Sequence, residues 1–182
     1  NNTLKHNNIL KFIQLFLLFS IIVGINSGCS TRKNTPTNRA WHNMTSRFNV
    51  NFNGKEALKQ GEEEYKKLCK DNYINTLPIY YYPPKEEITS IYPTMDRVIA
   101  KASKSIYKHS MFFKGKEYVK PIDDAYLMMG KAYFYKQDYI QAQRIFSYIV
   151  STHKNGNCIE EAMVWNARCA MQQNYFVRAD EI

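Results

Sequence analysis

The sequence predicts an all-α protein built from antiparallel helical hairpins, and two neighbouring stretches carry most of that prediction. Apolar and small side chains recur three and four residues apart over 126–133 and again over 142–150, as they do on one face of an α-helix. The polar segment Lys136–Asp138 separates the two stretches and predicts a tight turn. Asp123 and Asp124 follow Pro121, which places two carboxylates at the start of the first helix, where they oppose the helix dipole.

The residue types at these positions follow the pattern of a tetratricopeptide repeat, which is a helical hairpin of ~34 residues. Gly130 and Ala142 are small enough to let the two helices approach closely, and Tyr133 and Phe146 would fill the space beside them. The small residues recur 37 positions later, which predicts a second repeat with a longer connecting turn. We expect the repeats to form a right-handed solenoid; two unrelated hairpins are the alternative. The repeat-defining residues are Tyr126, Met129, Gly130, Tyr133, Ala142, Phe146, Ala167 and Ala179.

Residues 1–28 have the order of a secretory signal peptide, with a basic start, a short apolar core and small residues at the end. The apolar core, Leu15–Ile25, has 11 residues and is too short to span ~30 Å of hydrocarbon. The Ser-Gly-Cys sequence that follows resembles a bacterial lipoprotein signal. That resemblance implies cleavage before Cys29 and palmitate-type acyl chains on its thiol and new amino group. Ordinary cleavage beside a chance cysteine and a transmembrane anchor are the alternatives.

Residues 29–38 are polar and lack an apolar face, so we expect a disordered amino-terminal tether. No Asp follows Cys29, which for bacterial lipoproteins resembles an outer-membrane address facing the periplasm. The net charge of +9 is concentrated at this end, because residues 1–55 hold seven Lys and Arg and no acid, whereas the remaining 18 are balanced by 16 acids. This distribution favours lipid headgroups as a partner and disfavours nucleic acid, which would need a basic face on the folded part.

Residues 39–70 predict a degenerate helical pair. One apolar stripe comprises Trp41, Met44, Thr45 and Phe48, and the Asn53-Gly54 pair predicts a break after it. A second stripe runs over 57–68, so the segment has part of the spacing of a tetratricopeptide repeat.

The segment after this pair is rich in proline and tyrosine, which excludes one continuous helix. We predict an extended connector whose rings pack over neighbouring helices; a surface that stacks a ligand on Tyr80–Tyr82 is the alternative. We also expect this chain to be the amino-terminal piece of a longer protein. The predicted divisions are 1–28 signal peptide, 29–38 tether, 39–70 helical pair, 71–92 connector, 93–113 helix, and 122–182 repeats with the second one truncated.

No catalytic or metal-binding motif stands out in the sequence. Phosphate-binding loops, nucleophile elbows and paired metal-ligating histidines are absent, and the adjacent Asp123 and Asp124 would point about 100° apart on a helix. Cys158 and Cys169 are 11 residues apart on one predicted helix, too far for a disulfide, so we expect these two and Cys69 to be buried thiols. The sequence therefore predicts no enzyme, cofactor, metal or small-molecule substrate.

With no catalytic or metal-binding motif, the sequence favours protein binding as the function. In tetratricopeptide arrays the first helix of each hairpin lines a concave groove, and its positions outside the core face the partner. Cations beside exposed aromatic or Met side chains would suit an extended peptide, and ordinary solvated residues are the alternative. The candidate groove residues are Lys131, Phe134, Tyr135, Arg168 and Met171.

Four stretches together give a family resemblance. They are RAWHNMTSRFNVNFNGKEALKQG (Arg39–Gly61), DNYINTLPIY (Asp71–Tyr80), MDRVIAKASKSIYKHSM (Met95–Met111) and IDDAYLMMGKAYFYKQDYIQA (Ile122–Ala142). With the lipoprotein signal before them, they resemble the tetratricopeptide outer-membrane lipoproteins of type IX secretion and gliding motility, the SprE/PorW family.

This resemblance implies a non-catalytic, periplasm-facing scaffold that is needed for type IX protein secretion and gliding motility. Its expected partners are protein components of the type IX translocon and its ring and motor assembly. Cys29 is implied as the lipid attachment site, and no catalytic residue is implied. Two other classes stay open: another tetratricopeptide lipoprotein of outer-membrane assembly or nutrient capture, and the amino-terminal arm of an enzyme whose catalytic domain lies elsewhere.

Overall fold

The computed structural model describes residues 13–14, 30–70, 80, 82–153, 156–175 and 179. Cys29 and the predicted signal peptide, apart from helical backbone at Ile13 and Gln14, lie outside the described residues. The chain divides into two compact units, Asn1–Ser30 and Thr31–Ile182. The second unit contains all the elements that follow.

Helices dominate the second unit, which confirms the all-α prediction. None of the helices in the described part of the chain combines the length and the apolar character needed to cross a membrane. The helices are α1 Pro36–Thr45, a π-helical segment Ser46–Asn51, α2 Phe52–Leu68, α3 Lys85–Ile88, a 3₁₀ turn Thr89–Ile91, α4 Tyr92–His109, α5 Pro121–Tyr135, α6 Tyr139–Thr152 and α7 Ile159–Gln172, and two short strands are β1 Phe112–Phe113 and β2 Lys116–Glu117.

The predicted helical pair at 39–70 is wrong, because α1, the π-helical segment and α2 follow one another without a turn. The boundary residues Thr45, Asn51 and Phe52 all have right-handed helical backbone angles. Gly54 does not break the helix; it lies at a close contact, where a β-carbon would be 3.2 Å from Cε of Met128. A glycine that signals a turn in the sequence therefore serves packing here.

The predicted disordered tether also ends earlier than expected, since α1 begins at Pro36 within the range 29–38. Thr35 caps the helix, and its hydroxyl accepts from the backbone N–H of Asn38 at 3.3 Å. The Asn38 side chain is buried and donates to the carbonyl of Lys33 at 2.9 Å. A hydroxyl cap, a proline in the first turn and a buried amide together order this end of the segment.

The helices after α2 pack in chain order. The main contacts join α2 to α4, α4 to α5, α5 to α6 and α6 to α7, with a smaller contact between α2 and α5. The predicted tight turn between α5 and α6 is confirmed, and Gln137 adopts a left-handed backbone conformation with φ of 59°. Gly61 lies where α2 meets α4, because a β-carbon there would be 2.6 Å from Cε of Met95.

The region around 93–113 departs from one predicted helix, since α4 ends at His109 and a β-hairpin follows. Lys114 and Gly115 form its turn with φ of 50° and 77°. The carboxylate of Glu117 accepts from the backbone N–H groups of Met111 and Val119, each at 2.8 Å, and from the Ser110 hydroxyl at 2.6 Å. The Glu117 carboxylate thus pairs the N–H and O–H donors that α4 and the hairpin leave without a backbone partner. These hydrogen bonds stabilise the end of α4 at His109.

Candidate binding site

The predicted repeat positions meet where α5 packs on α6. Gly130, Ala142 and Phe146 are all buried there. A β-carbon on residue 130 would lie 2.5 Å from Cε1 of Phe146, closer than real β-carbons approach. The phenyl ring therefore occupies the space that the glycine leaves, and the ring also stacks on Trp165 of α7 at 6.2 Å between centroids.

The other repeat-defining residues are only half-buried. The ring of Tyr126 packs on Tyr148 with 4.9 Å between centroids, and Met129 accepts a hydrogen bond from the Ser103 hydroxyl at 3.6 Å. Tyr133 is half-buried against the cluster that contains Phe146. Ala167 and Ala179 are half-buried, and the backbone N–H of Ala179 donates to the carbonyl of Tyr175 at 3.0 Å.

The predicted groove residues do not form an open groove. Phe134 is only 2% exposed and lies in a cluster with Trp165 and Phe146, so its prediction as a partner-facing side chain is wrong. Tyr135 is half-buried, and its hydroxyl donates to Oε1 of Glu62 at 3.3 Å. Burial raises the pKa of Tyr135, with the Glu62 carboxylate adding to the effect, so this hydroxyl stays protonated.

Arg168 lies among three aromatic rings. Its guanidinium carbon is 4.2 Å from the ring centroid of Trp165, 4.5 Å from that of Tyr80 and 4.9 Å from that of Phe134. Its Nε atom is buried and has no hydrogen-bond partner within the described residues. The side chain is therefore held by cation–π stacking, with the flat guanidinium matched to the ring faces.

Lys131 and Met171 differ in accessibility. Lys131 forms an ion pair with Glu161, and its ammonium group lies 5.4 Å from the ring centroid of Trp165. Met171 keeps about half of its surface exposed. Of the five predicted groove residues, Met171 alone is exposed to solvent.

The connector supplies the cover over this face. Besides Tyr80 on Arg168, the ring of Tyr82 packs edge-on against Phe134 with 6.1 Å between centroids. Pro83 is buried, and its carbonyl accepts from Nε2 of Gln137 at 2.8 Å. The rings at this end of the connector thus pack over neighbouring helices, as the sequence predicted. The predicted extended conformation is wrong for Lys85–Tyr92, which is helical.

The two adjacent carboxylates on α5 diverge. Oδ1 of Asp123 lies 2.6 Å from Nδ1 of His153, whereas Oδ2 of Asp124 lies 2.7 Å from Nζ of Lys55. The thiol of Cys158 donates to Oδ1 of Asp124 at 3.3 Å. Each carboxylate therefore ties α5 to a different part of the chain. In the described residues no group of three or more His, Cys, Asp or Glu is placed to hold a metal ion.

Burial sets the state of the thiols on α7 and beside it. Burial, with the Asp124 contact, raises the pKa of Cys158 to about 12, and burial raises the pKa of Cys169 to about 12. Both thiols stay protonated at neutral pH, which makes them poor nucleophiles. Cys69 is half-buried, and its thiol donates to the carbonyl of Tyr65 at 3.4 Å.

A polar cluster that the sequence analysis missed joins α1 and its π-helical continuation to α4. Nδ1 of His42 lies 3.0 Å from Nδ1 of His109, and the hydroxyls of Ser46 and Ser105 are 2.8 Å apart, with all four side chains buried. Each helix contributes a His and a Ser four residues apart, which is one helical turn. That shared spacing was the signal available in the sequence.

Comparisons with known proteins leave the family open. No protein-family model matches the chain, and a search of the curated proteins finds no match.

Proposed function

We propose that this chain belongs to a non-catalytic scaffold lipoprotein of the outer membrane, facing the periplasm and acting in type IX protein secretion and gliding motility. Its helices form a right-handed tetratricopeptide solenoid that binds other proteins. The observation that carries this proposal is the contact of Gly130 with Phe146 at the spacing of that repeat. The packing of α7 onto α6 supports it, because a further repeat would continue the stack in the same way.

The proposed partners are components of the type IX translocon and its ring and motor assembly. We place the contact on the face where α5 and α7 meet the connector, around Lys131, Tyr135, Arg168 and Met171. Tyr80 is part of this surface, because it is exposed and stacks on Arg168. Phe134 supports the surface from below.

Affinity capture from mildly cross-linked membranes of the native host, followed by mass spectrometry, tests the proposed partners. We expect translocon, ring or motor proteins among the strongest hits. Arg168→Glu should lose them, because it removes the cation from the ring cluster, whereas the exposed Arg144→Glu on α6 should keep them. Recovery of barrel-assembly or nutrient-uptake proteins in their place would overturn the type IX assignment.

Membrane fractionation tests the proposed anchor. Cys29→Ala should leave the helices folded and, once residues 1–28 are removed, move the protein to the soluble fraction, because the variant has no thiol to carry the acyl chains that would anchor it. A variant that has lost residues 1–28 and still stays with the membranes through a high-salt wash would exclude Cys29 as the anchor.

A further inference from the structure

One helix of the second unit carries an exposed apolar stripe. Trp41, Met44, Phe48 and Phe52 lie along α1, the π-helical segment and the start of α2, and each keeps between 46% and 71% of its surface exposed. No other helix in the described part of the chain carries more than two large apolar side chains of this exposure. A row of this kind marks an interaction surface more often than single exposed residues do.

Buried polar contacts on the other face of this helix keep the stripe exposed to solvent. The opposite face of the same helix is polar, and it is the face that packs on the rest of the unit through Asn38, His42, Ser46 and Asn51, all buried. The Asn51 side chain donates to the carbonyl of Pro121. Rotating the helix to bury the stripe would break these buried hydrogen bonds, which is costly.

The charge beside the stripe is positive. Residues 31–55 contain five Lys and Arg and no acid, and Arg47 is exposed within the stripe itself. Asp123 and Asp124 line the groove next to Met44 and Phe48, but they face His153 and Lys55. Two phenylalanines, a tryptophan and a methionine flanked by cations are the composition of helices that lie at the surface of anionic membranes.

The position of the stripe in the chain fits a bilayer as the occupant. Pro36, the first residue of α1, is seven positions after Cys29, and an extended chain of that length reaches roughly 25 Å. This step rests on the proposed lipid anchor at Cys29. An anchor there would keep α1 close to the headgroups of the same membrane, so the stripe would meet lipid at high local concentration.

We propose that the stripe of Trp41, Met44, Phe48 and Phe52 docks on the surface of an anionic phospholipid bilayer. The helix lies along the interface with its aromatic side chains among the headgroups and upper acyl chains, and Arg47 contacts lipid phosphates. The docked helix fixes the orientation of α4 and α5 relative to the membrane, which a lipid tether alone does not do.

Tryptophan fluorescence of the full chain on vesicles of phosphatidylethanolamine and phosphatidylglycerol tests this proposal. The chain has two tryptophans, and Trp165 is buried while Trp41 is exposed. Lipids brominated near the top of the acyl chains should quench the Trp41 emission and shift it to the blue. Trp41→Phe should abolish the quenching and leave the Trp165 emission in place.

Matched variants distinguish docking through the stripe from non-specific adsorption to the vesicles. Phe48→Glu should remove most of the quenching, whereas Tyr107→Glu should leave it unchanged, because Tyr107 is an 88% exposed aromatic on α4 outside the stripe. Exchanging phosphatidylglycerol for neutral phosphatidylcholine should weaken the quenching of the native chain. Equal losses in Phe48→Glu and Tyr107→Glu would overturn the proposal.

The result is independent of the anchor itself. Flotation with the vesicles identifies the bound chains, and fractionation of Cys29→Ala tests the lipid site separately. Trp41 that stays unquenched on bound chains overturns bilayer docking and assigns the stripe to a protein partner or a second copy.

Discussion

Gly130 and Phe146 share one site between α5 and α6, since the phenyl ring occupies the position that a side chain on residue 130 would need. Phe146 is fully buried and also stacks on Trp165, so it cannot move aside without disturbing α7. The absence of a side chain at residue 130 therefore sets the distance between α5 and α6, and through Phe146 it sets the position of α7.

We expect Gly130→Leu to lower the free energy of unfolding by about 1–3 kcal/mol or more, because it overpacks this contact. Thermal unfolding followed by circular dichroism measures the effect. Ala100→Leu is the control, since Ala100 is exposed on α4 and the added side chain meets solvent. Equal midpoints for Gly130→Leu and the native chain would refute a close contact between α5 and α6.

The buried His42–His109 pair predicts a stability that falls in mild acid. Burial lowers the pKa of His109 below its ordinary 6.5, and the neighbouring His42 and Lys108 lower it further. The bond between the two Nδ1 atoms also needs one of them unprotonated. Below about pH 6.5 the unfolded chain therefore binds a proton that the folded chain resists, and stability declines as pH falls.

Thermal midpoints between pH 5.5 and 8 check this effect. The native chain should lose stability toward pH 5.5, and His109→Asn should show a shallower decline, although it is less stable at pH 8. A decline of equal slope in both proteins would show that other groups cause the pH dependence.

We expect Arg168→Ala to lower the free energy of unfolding of the second unit by about 1–2 kcal/mol, because the guanidinium stacks on three rings and part of it is buried. Arg168→Lys should recover little of this loss, since an ammonium group does not match the ring faces. Urea unfolding measures both. Arg144→Ala on the exposed side of α6 should have little effect, and full rescue by Arg168→Lys would argue for charge rather than stacking.

Thiol labelling should follow burial. Cys158 and Cys169, whose pKa values are raised to about 12, should react with iodoacetamide at pH 8 only as the protein unfolds, whereas the half-buried Cys69 should react earlier. Mass spectrometry of the Cys29→Ser variant, in which only these three thiols remain, identifies the order in which they are labelled. Rapid labelling of Cys169 in the folded protein would contradict the buried cluster.

The sequence was most informative where structure depends on local spacing. The hairpin of α5 and α6 was predicted with its turn, because one run of residues carries both apolar faces and the small residues between them. The spacing within 39–70 misled in two ways: Asn53-Gly54 lies inside a continuous helix, and the apolar stripe of α1 is its exposed face, because apolar spacing alone does not say which face is buried. That choice depends on α4, whose Ser105 and His109 satisfy the polar face of α1 from far along the chain.

The predicted groove failed for a similar reason. Phe134 has the position of a partner-facing residue within its own hairpin, but Tyr82 of the connector and Trp165 of α7 cover it and make it part of the core. Long-range cover of this kind leaves no trace in the periodicity of α5. The Arg168 stack likewise combines rings from three separate segments.

The π-helical segment Ser46–Asn51 sets the rotational phase between the two ends of the first long helix. Its wide turns bring residues five apart onto one side, so Ser46 and Asn51 can both be buried. Deleting one residue from it would turn Trp41 by about 100° around the axis relative to Leu58. The number of residues in the π-helical segment therefore controls the direction in which the stripe points. An insertion or deletion in this segment would turn Trp41 and Met44 away from their present direction without changing either residue.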